Sequence, residues 1–122
     1  FIEFLSAAQP TYDIVINCCG YTGVPNVDAC ESNKEKCWLY NVVAPQRTTR
    51  LVNEYIGAPV IHISSGCIYQ GDGDFTEEDV PNFGVYTEDS SFYSRSKHAS
   101  ELLLKDLDCY ILRSSIFYLI LV

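Results

Sequence analysis

The order of strand-like and helical segments constrains the fold of this chain more than any other feature. Three apolar runs of β-branched character alternate with two stretches in which apolar residues recur at helical spacing. In chain order these are strand 12–18, helix 31–56, strand 59–64, helix 92–107 and strand 109–113. Continuous apolar runs are typical of buried parallel strands, and such strands joined by helices take right-handed crossovers. The sequence therefore predicts an α/β fold with a Rossmann-like, doubly wound parallel sheet.

Helix-breaking residues and a long polar segment refine this prediction. Pro45 lacks an amide hydrogen and should kink or break the first helix. The second helix has an apolar stripe formed by Phe92, Ala99 and Leu103. Between them, residues 66–91 form a polar stretch rich in glycine. A loop of this length inside a compact domain is usually functional or disordered.

Charge and hydropathy exclude several classes of partner. The 122 residues include 16 acidic and 8 basic side chains, which gives a net charge of −8. A chain with this excess of acidic residues is repelled by the phosphate backbone of a nucleic acid. It also has no basic amphipathic stretch that could bind an anionic membrane. The apolar run 117–122 is far shorter than the roughly 20 residues of a membrane-spanning helix. We therefore expect neither a nucleic acid nor a membrane as partner.

The cysteines indicate reduced thiols. None of the six belongs to a C-x-x-C pair, so no metal site is predicted. Several lie in or beside strand-like runs, which is unlike a disulfide scaffold and predicts a cytoplasmic protein. They are Cys18, Cys19, Cys30, Cys37, Cys67 and Cys109.

The two ends of the chain predict that it is a piece of a longer protein. The sequence contains no methionine, and residues 1–8 resemble the end of a helix. The last six residues are all apolar, which is unusual for a natural terminus. We therefore interpret residues 1–122 as part of a Rossmann-like domain that lacks its first strands and a C-terminal region.

Ligands of parallel sheets bind beyond the carboxyl ends of the strands. Here those ends are 17–20, 64–67 and 113–115. Ser64 and Ser65 end the second strand, where a hydroxyl can orient a substrate carbonyl or simply cap the loop.

Tyr93 and Lys97 add an acid–base pair to the same region. At positions i and i+4 of a helix their side chains share one face. A nearby ammonium favours the phenolate and lowers the pKa of a tyrosine, which can then exchange a proton with a carbonyl oxygen. On its own, the Tyr-x-x-x-Lys spacing is common by chance. Here it follows a strand that ends in serine and a long loop, and the order of strand, serine, loop and Tyr-x-x-x-Lys helix is a specific arrangement.

Four stretches together resemble a known family. The chain is similar to extended short-chain dehydrogenase/reductases that act on nucleotide sugars, and most similar to the bifunctional epimerase/reductases that make nucleotide-linked rhamnose. The stretches are Asn17-Cys-Cys-Gly-Tyr-Thr-Gly-Val-Pro-Asn-Val-Asp-Ala-Cys-Glu31, Ser64-Ser-Gly-Cys-Ile-Tyr69, Glu77-Glu-Asp-Val-Pro-Asn-Phe83 and Ser91-Phe-Tyr-Ser-Arg-Ser-Lys97.

The resemblance implies a catalytic triad of Ser65, Tyr93 and Lys97. It also implies NADP as cofactor, with NAD as the alternative, and a nucleotide-sugar substrate; it is compatible with a homodimer. Lys97 would also hold the nicotinamide ribose, next to Tyr93. Asn41 matches a helix asparagine that supports a proton relay, or it is only structural. The remaining cofactor contacts would come from Asn17, Cys18, Cys19 and Gly20.

Cys67 distinguishes this chain from generic reductases. It follows Ser65 by two residues, as in the related GDP-fucose synthases, where the cysteine is the base at the carbon beside the ketone. A nearby cation can lower the pKa of a thiol toward neutrality. The alternative is a small buried hydrophobic residue. A sugar dehydratase of the superfamily would have an Asp-Glu pair where this chain has Gly66-Cys67.

The favoured function is therefore the central part of an NADPH-dependent epimerase/reductase that makes nucleotide-rhamnose. The alternatives are a single-activity dTDP-4-dehydrorhamnose-type reductase and a non-catalytic, reductase-like regulatory subunit. The glycine-rich turn that binds the pyrophosphate in this family is not found in the 122 residues.

Four further side chains receive weaker predictions. We expect His62 to be a satisfied core residue and His98 to face solvent. The acidic run 77–79 is either solvated or part of a loop that closes over the sugar. Arg113, at a strand end, pairs either with a phosphate or with an internal carboxylate.

Overall fold

The computed structural model describes residues 12–114, which form a parallel sheet with helices between its strands. The predicted helix end at 1–8 and the apolar run 117–122 lie outside the described residues. The strands lie side by side in the order β1 Val15–Asn17, β2 Val60–Ser65 and β3 Cys109–Ser114. The α-helices are α1 Lys34–Trp38, α2 Ala44–Tyr55 and α3 Phe92–Leu104. Short 3₁₀ turns occupy Val27–Glu31 and Gly66–Ile68.

The parallel α/β prediction is confirmed, and the register brings the strand ends to one edge. Asn17 of β1 pairs with His62 of β2, and Ser65 of β2 pairs with Ser114 of β3. The carboxyl ends of neighbouring strands therefore lie close together, which is where a parallel sheet binds its ligands. No helix within residues 12–114 is long and apolar enough to cross a membrane.

The first predicted helix is one helical stretch of three parts. A π-helical segment, Leu39–Val43, joins α1 to α2. Pro45 lies in the first turn of α2, where its missing amide hydrogen costs little. The irregularity expected at Pro45 is thus confirmed, but it falls just before the proline, as a wider turn that contains Asn41.

The helices pack on one face of the sheet. Val60 contacts Val52 of α2, and Ser64 contacts Glu101 of α3. Side chains on the opposite face are exposed, as shown by Ile16 at 57% and Tyr110 at 64%. Within residues 12–114, α2 and α3 therefore cover the same side of the sheet. A second helical layer stays a prediction.

The buried face of α3 is polar instead of apolar. Leu103, placed in the predicted apolar stripe, is 46% exposed. The residues that α3 buries are Tyr93, Ser94, Ser96, Lys97, His98, Ala99, Ser100, Glu101 and Leu104. The helix therefore docks on the sheet mainly through groups that need hydrogen-bond partners, which makes its position specific.

His98 contradicts its prediction because the long loop folds over it. The side chain is buried, with Nδ1 accepting a hydrogen bond from the amide of Val85 at 3.2 Å. The ring of Tyr86 meets it edge-on at 5.7 Å. Gly84 lies against the same imidazole, so closely that a Cβ there would be 2.8 Å from the Cβ of His98. Loop 66–91 is therefore anchored on α3.

His62 is buried, but it is not a satisfied core residue. The side chain is fully enclosed, and neither ring nitrogen has a hydrogen-bond partner among the described residues. Burial lowers the pKa of His62 to about 4, and the nearby Lys97 ammonium acts in the same direction. The imidazole is therefore neutral in the folded protein at neutral pH.

The His62→Asn substitution should reduce the sensitivity of the fold to acid. Unfolded His62 takes up a proton near pH 6.5, whereas folded His62 does so only near pH 4. The free energy of unfolding should fall by about 1.4 kcal/mol for each pH unit in that window, and the loss is complete below it. Urea unfolding at pH 7 and pH 5 should show a smaller loss in the variant. An equal loss of unfolding free energy in both proteins would contradict the assignment. Burial also lowers the pKa of His98, so the variant His98→Asn measures how much of the loss comes from that second histidine.

The Gly84→Ala substitution should destabilise the loop against α3. The added methyl group overlaps the His98 imidazole, so either the loop or the ring must move. We expect the free energy of unfolding to fall by about 1–3 kcal/mol. Gly73→Ala is the matched control, because a Cβ there meets only the Phe75 ring at 3.9 Å. Equal urea midpoints for the two variants would show that the contact does not matter.

Candidate active site

The turn that follows β2 places Cys67 at the carboxyl edge of the sheet, in the crevice between this edge and α3. The Ser65 hydroxyl accepts a hydrogen bond from the amide of Cys67 at 3.2 Å and so caps the 3₁₀ turn. The hydroxyl of Ser94 on α3 donates to the carbonyl of Cys67 at 2.7 Å. The backbone of Cys67 is therefore held from two sides, by the end of β2 that precedes it and by α3, which faces it.

Tyr93 lies opposite, in the first turn of α3. Ser91 caps this helix by accepting a hydrogen bond from the amide of Ser94 at 3.1 Å. The Tyr93 side chain packs against Cys67, and the Ser65 hydroxyl lies close enough to the phenol to lower its pKa. The structure thus brings together the hydroxyl, thiol and phenol that the sequence analysis singled out.

Lys97 follows Tyr93 by one helical turn and points into the sheet. It is only 4% exposed, and its Nζ donates to the carbonyl of Ile63 in β2 at 2.9 Å. Burial lowers the pKa of Lys97, while the carboxylate of Glu101 raises it. Lys97 therefore lies beneath the crevice as a buried, hydrogen-bonded amine.

The pKa of Tyr93 differs from the prediction. Burial raises it, and the contact with Ser65 opposes this effect only in part. The expected lowering by Lys97 is not found, because the amine is directed at the carbonyl of Ile63 and the phenol is enclosed by thiols and apolar groups. The Tyr93 side chain is therefore a protonated phenol at neutral pH, suited to give a proton away.

The Asn41 side chain is a clamp between α3 and the loop after β1. Its Oδ1 accepts from the amide of Tyr21 at 2.6 Å, and its Nδ2 donates to the carbonyl of Tyr21 at 2.9 Å. The same Nδ2 contacts the Ser96 hydroxyl at 3.0 Å. This geometry shows a structural use for the Asn41 amide, which holds in place the loop that contains Gly20.

The end of β1 suits a ligand that accepts hydrogen bonds. Asn17 is buried, and its Oδ1 accepts from the amide of Cys19 at 3.0 Å. Its Nδ2 has no hydrogen-bond partner among the described residues, although it is enclosed. A buried donor without an acceptor is costly, so a ligand oxygen at this position is favourable. Cys18, Cys19 and Gly20 are exposed beside it, which fits the predicted cofactor loop.

Arg113 pairs with an internal carboxylate, which decides between its two predicted partners. Its guanidinium contacts Glu101 of α3 through Nη2 at 3.0 Å and through Nε at 3.2 Å. Its Nη1 donates to the Tyr69 hydroxyl and to the carbonyl of Glu77. These bonds direct the guanidinium at groups of the protein itself and leave a phosphate role unsupported.

The acidic run is tied to the fold through the same arginine. Asp79 accepts hydrogen bonds from the amide and the hydroxyl of Thr76, and these bonds lower the pKa of its carboxyl. The Tyr69 hydroxyl donates to the carbonyl of Asp79 at 2.7 Å. The Tyr69 ring stacks on Phe75 at 4.6 Å. The run is therefore held in place, and its first residue, Glu77, lines a cavity of about 700 Å³ that also touches Gly66 and β3.

Two further acidic residues position the site, and the sequence analysis did not assign either. Glu31 accepts a hydrogen bond from the amide of Phe92 at 2.6 Å, so it caps the N-terminus of α3 from a segment that is distant in sequence. Glu101 follows Lys97 by four residues, and the spacing Tyr-x-x-x-Lys-x-x-x-Glu was a signal that could have found it. All six cysteines are free thiols, as predicted.

Comparison with known proteins places the chain in a family. It is 35% identical over 115 residues to a trifunctional UDP-glucose 4,6-dehydratase/UDP-4-keto-6-deoxy-D-glucose 3,5-epimerase/UDP-4-keto-L-rhamnose reductase of Arabidopsis thaliana, covering 88% of this chain and 16% of that protein. It is 35% identical over 112 residues to a bifunctional dTDP-4-dehydrorhamnose 3,5-epimerase/reductase of the same plant, covering 85% of this chain and 35% of that protein.

A solved structure shows the same fold. The crystal structure of a hypothetical dTDP-4-dehydrorhamnose reductase from Sulfolobus tokodaii superposes with a TM-score of 0.72 at 30% identity, over 93% of this chain and 38% of that one. The family model described as the RmlD substrate binding domain matches residues 3–120. The chain therefore belongs to the RmlD substrate-binding domain family.

Proposed function

We propose that this chain is the central part of an NADPH-dependent epimerase/reductase that converts a nucleotide-linked 4-keto-6-deoxyhexose to nucleotide-rhamnose. The observation that supports it is the convergence of Ser65, Cys67 and Tyr93 at the edge of the sheet, above the buried Lys97. The chain spans about one sixth and one third of the two Arabidopsis relatives, so the activity belongs to a protein of the family's full length.

We assign the cofactor to the carboxyl edge of the sheet, between the end of β1 and α3. Asn17 offers an unpaired Nδ2, and the exposed loop 18–20 follows it. Tyr93 and Lys97 approach from α3 and would hold the ribose next to the nicotinamide. When bound, NADPH supplies the hydride for the reduction. Residues 1–122 are then one part of an NAD(P)-binding domain.

Tyr93 is the acid of the reduction. As hydride reaches carbon 4 of the sugar, the carbonyl oxygen becomes an alkoxide and takes the phenolic proton. The high pKa of buried Tyr93 keeps that proton in place until the oxygen is basic enough to remove it. The Ser65 hydroxyl orients the same oxygen by a hydrogen bond, and Lys97 lies one helical turn beyond Tyr93, with its amine bonded to the carbonyl of Ile63.

Cys67 is the base of the epimerisation. The C–H bonds next to the ketone are acidic, since the negative charge that forms on proton removal is delocalised onto the carbonyl oxygen. A thiolate at Cys67 takes such a proton, and return of a proton to the opposite face of the carbon inverts the centre. The Cys67 side chain is half-buried, and hydrogen bonds to its own backbone amide and carbonyl hold the residue in place.

A single-activity reductase is the alternative of interest. It needs Ser65, Tyr93 and Lys97 but has no use for a base at position 67. The experiments below on Tyr93 and Cys67 therefore test the two halves of the proposal separately.

Tyr93→Phe should abolish reduction in a protein of the family's full length that contains this chain. Loss of general acid catalysis costs a factor of about 100 to 10,000 in turnover. Oxidation of NADPH with a 4-keto-6-deoxy sugar nucleotide, followed by absorbance, measures the effect. Tyr55→Phe is the control, because Tyr55 ends α2 near the start of β2, at the other edge of the sheet. Unchanged turnover in Tyr93→Phe would refute the assignment.

Cys67→Ser should stop solvent deuterium from entering carbons 3 and 5 of the sugar. A serine hydroxyl is far less acidic than a thiol and is a poor base at neutral pH. Reduction of a ketone that has already been epimerised should continue. Cys109→Ser provides a matched control, since Cys109 is also half-buried but lies where β3 begins. Undiminished deuterium uptake in Cys67→Ser would show that the base lies elsewhere and would favour a single-activity reductase.

A further inference from the structure

The helix that contains Tyr93 and Lys97 places a third functional group in line with them. Glu101 is four residues beyond Lys97, so the three side chains share the face of α3 that packs on the sheet. Tyr93, Lys97 and Glu101 are all buried, with exposures of 8%, 4% and 7%. A buried carboxylate one helical turn from a buried amine interacts with its charge more strongly than it would in water, because the dielectric of the protein interior is low.

The Glu101 carboxylate is held by groups from two strands. The Ser64 hydroxyl donates to Oε1 at 2.5 Å, and Arg113 donates to Oε2 from Nη2 at 3.0 Å. Ser64 and Arg113 are direct neighbours in the pairing of β2 with β3. The carboxylate therefore bridges the ends of both strands, one residue before Ser65.

We propose that Glu101 is a positioning residue for the catalytic pair: its carboxylate keeps Lys97 in the ammonium form and fixes the strand end that contains Ser65. This proposal concerns the site described above, so the catalytic role of the Lys97 ammonium rests on the proposed function. The Lys97 amine makes one hydrogen bond, to the carbonyl of Ile63, and burial disfavours its charge. Glu101 supplies the opposing negative charge from the next turn of the helix.

Other charges around Lys97 do not replace this contribution. His62 is neutral, and Arg113 carries the wrong sign. The Cys37 side chain is fully buried, and its thiol donates to the Ser96 hydroxyl at 3.4 Å. The titratable and charged groups that face Lys97 or its carboxylate are Tyr93 and Glu101 on α3, Cys37 on α1, His62 on β2 and Arg113 on β3.

The experiment is a titration of Lys97 in a protein of the family's full length. Lysine labelled with ¹³C at the ε-carbon reports the protonation of each amine by NMR, and the signal missing from Lys97→Arg assigns the resonance. In Glu101→Gln the midpoint of the Lys97 titration should move down by at least one pH unit, a tenfold weaker hold on the proton. Glu101→Asp keeps the charge and should restore most of the shift.

The pH dependence of turnover gives the second measurement. Activity that needs the ammonium is lost as Lys97 deprotonates, so the alkaline fall in kcat should move to lower pH in Glu101→Gln. A role limited to holding Arg113 would lower the melting temperature without moving either midpoint. Coincident midpoints in the native protein and in Glu101→Gln would overturn the proposal.

Two controls keep the result interpretable. Glu101→Gln removes the carboxylate that pairs with the partly buried charge of Arg113, which can destabilise the fold. The double variant Glu101→Gln/Arg113→Gln removes the pair as a whole, and its Lys97 midpoint should also lie below that of the native protein; an unchanged midpoint contradicts the proposal. If the native protein shows no turnover while the NMR midpoint shifts as expected, the proposed function fails and the charge assignment stands.

Discussion

The carboxyl edge of the sheet depends on one partly buried ion pair. Glu101 and Arg113 join α3 to β3, and the hydroxyl of Ser64 adds β2 to the same carboxylate. The side chain of Arg113 is 25% exposed and that of Glu101 is 8% exposed, so removing either partner leaves a charge that water solvates only in part. The pair therefore acts less as a source of stability than as a restraint that admits only one arrangement of the two strand ends and the helix.

The same restraint extends to the long loop. Arg113 contacts the Tyr69 hydroxyl and the carbonyl of Glu77, while His98 and Gly84 fasten the loop farther along α3. The side chain of Asn82 pairs with the backbone of Gln70 in both directions, at 2.8 and 2.9 Å. A loop fixed at so many points holds a defined shape against α3 and the end of β3.

Local spacing predicted much of the site, and tertiary contacts decided the rest. The strand order, the serine at the end of β2 and the i, i+4 position of Tyr93 and Lys97 follow from period and chain order alone. The exposure of Leu103 and the burial of His98 do not, because a periodicity rule assumes that a helix buries its apolar side. α3 buries its polar side, since hydroxyls, thiols and charges on the sheet and on α1 supply partners for it.

Electrostatics at Tyr93 shows why a motif alone could not give the chemistry. Spacing predicts that an amine lies near the phenol, but the direction of the amine depends on the carbonyl of Ile63, which belongs to a distant strand. With the amine turned toward β2, desolvation dominates and raises the pKa of Tyr93. The raised pKa therefore comes from the enclosure of Tyr93 by Cys30 and Cys37, residues that the Tyr-x-x-x-Lys motif does not include.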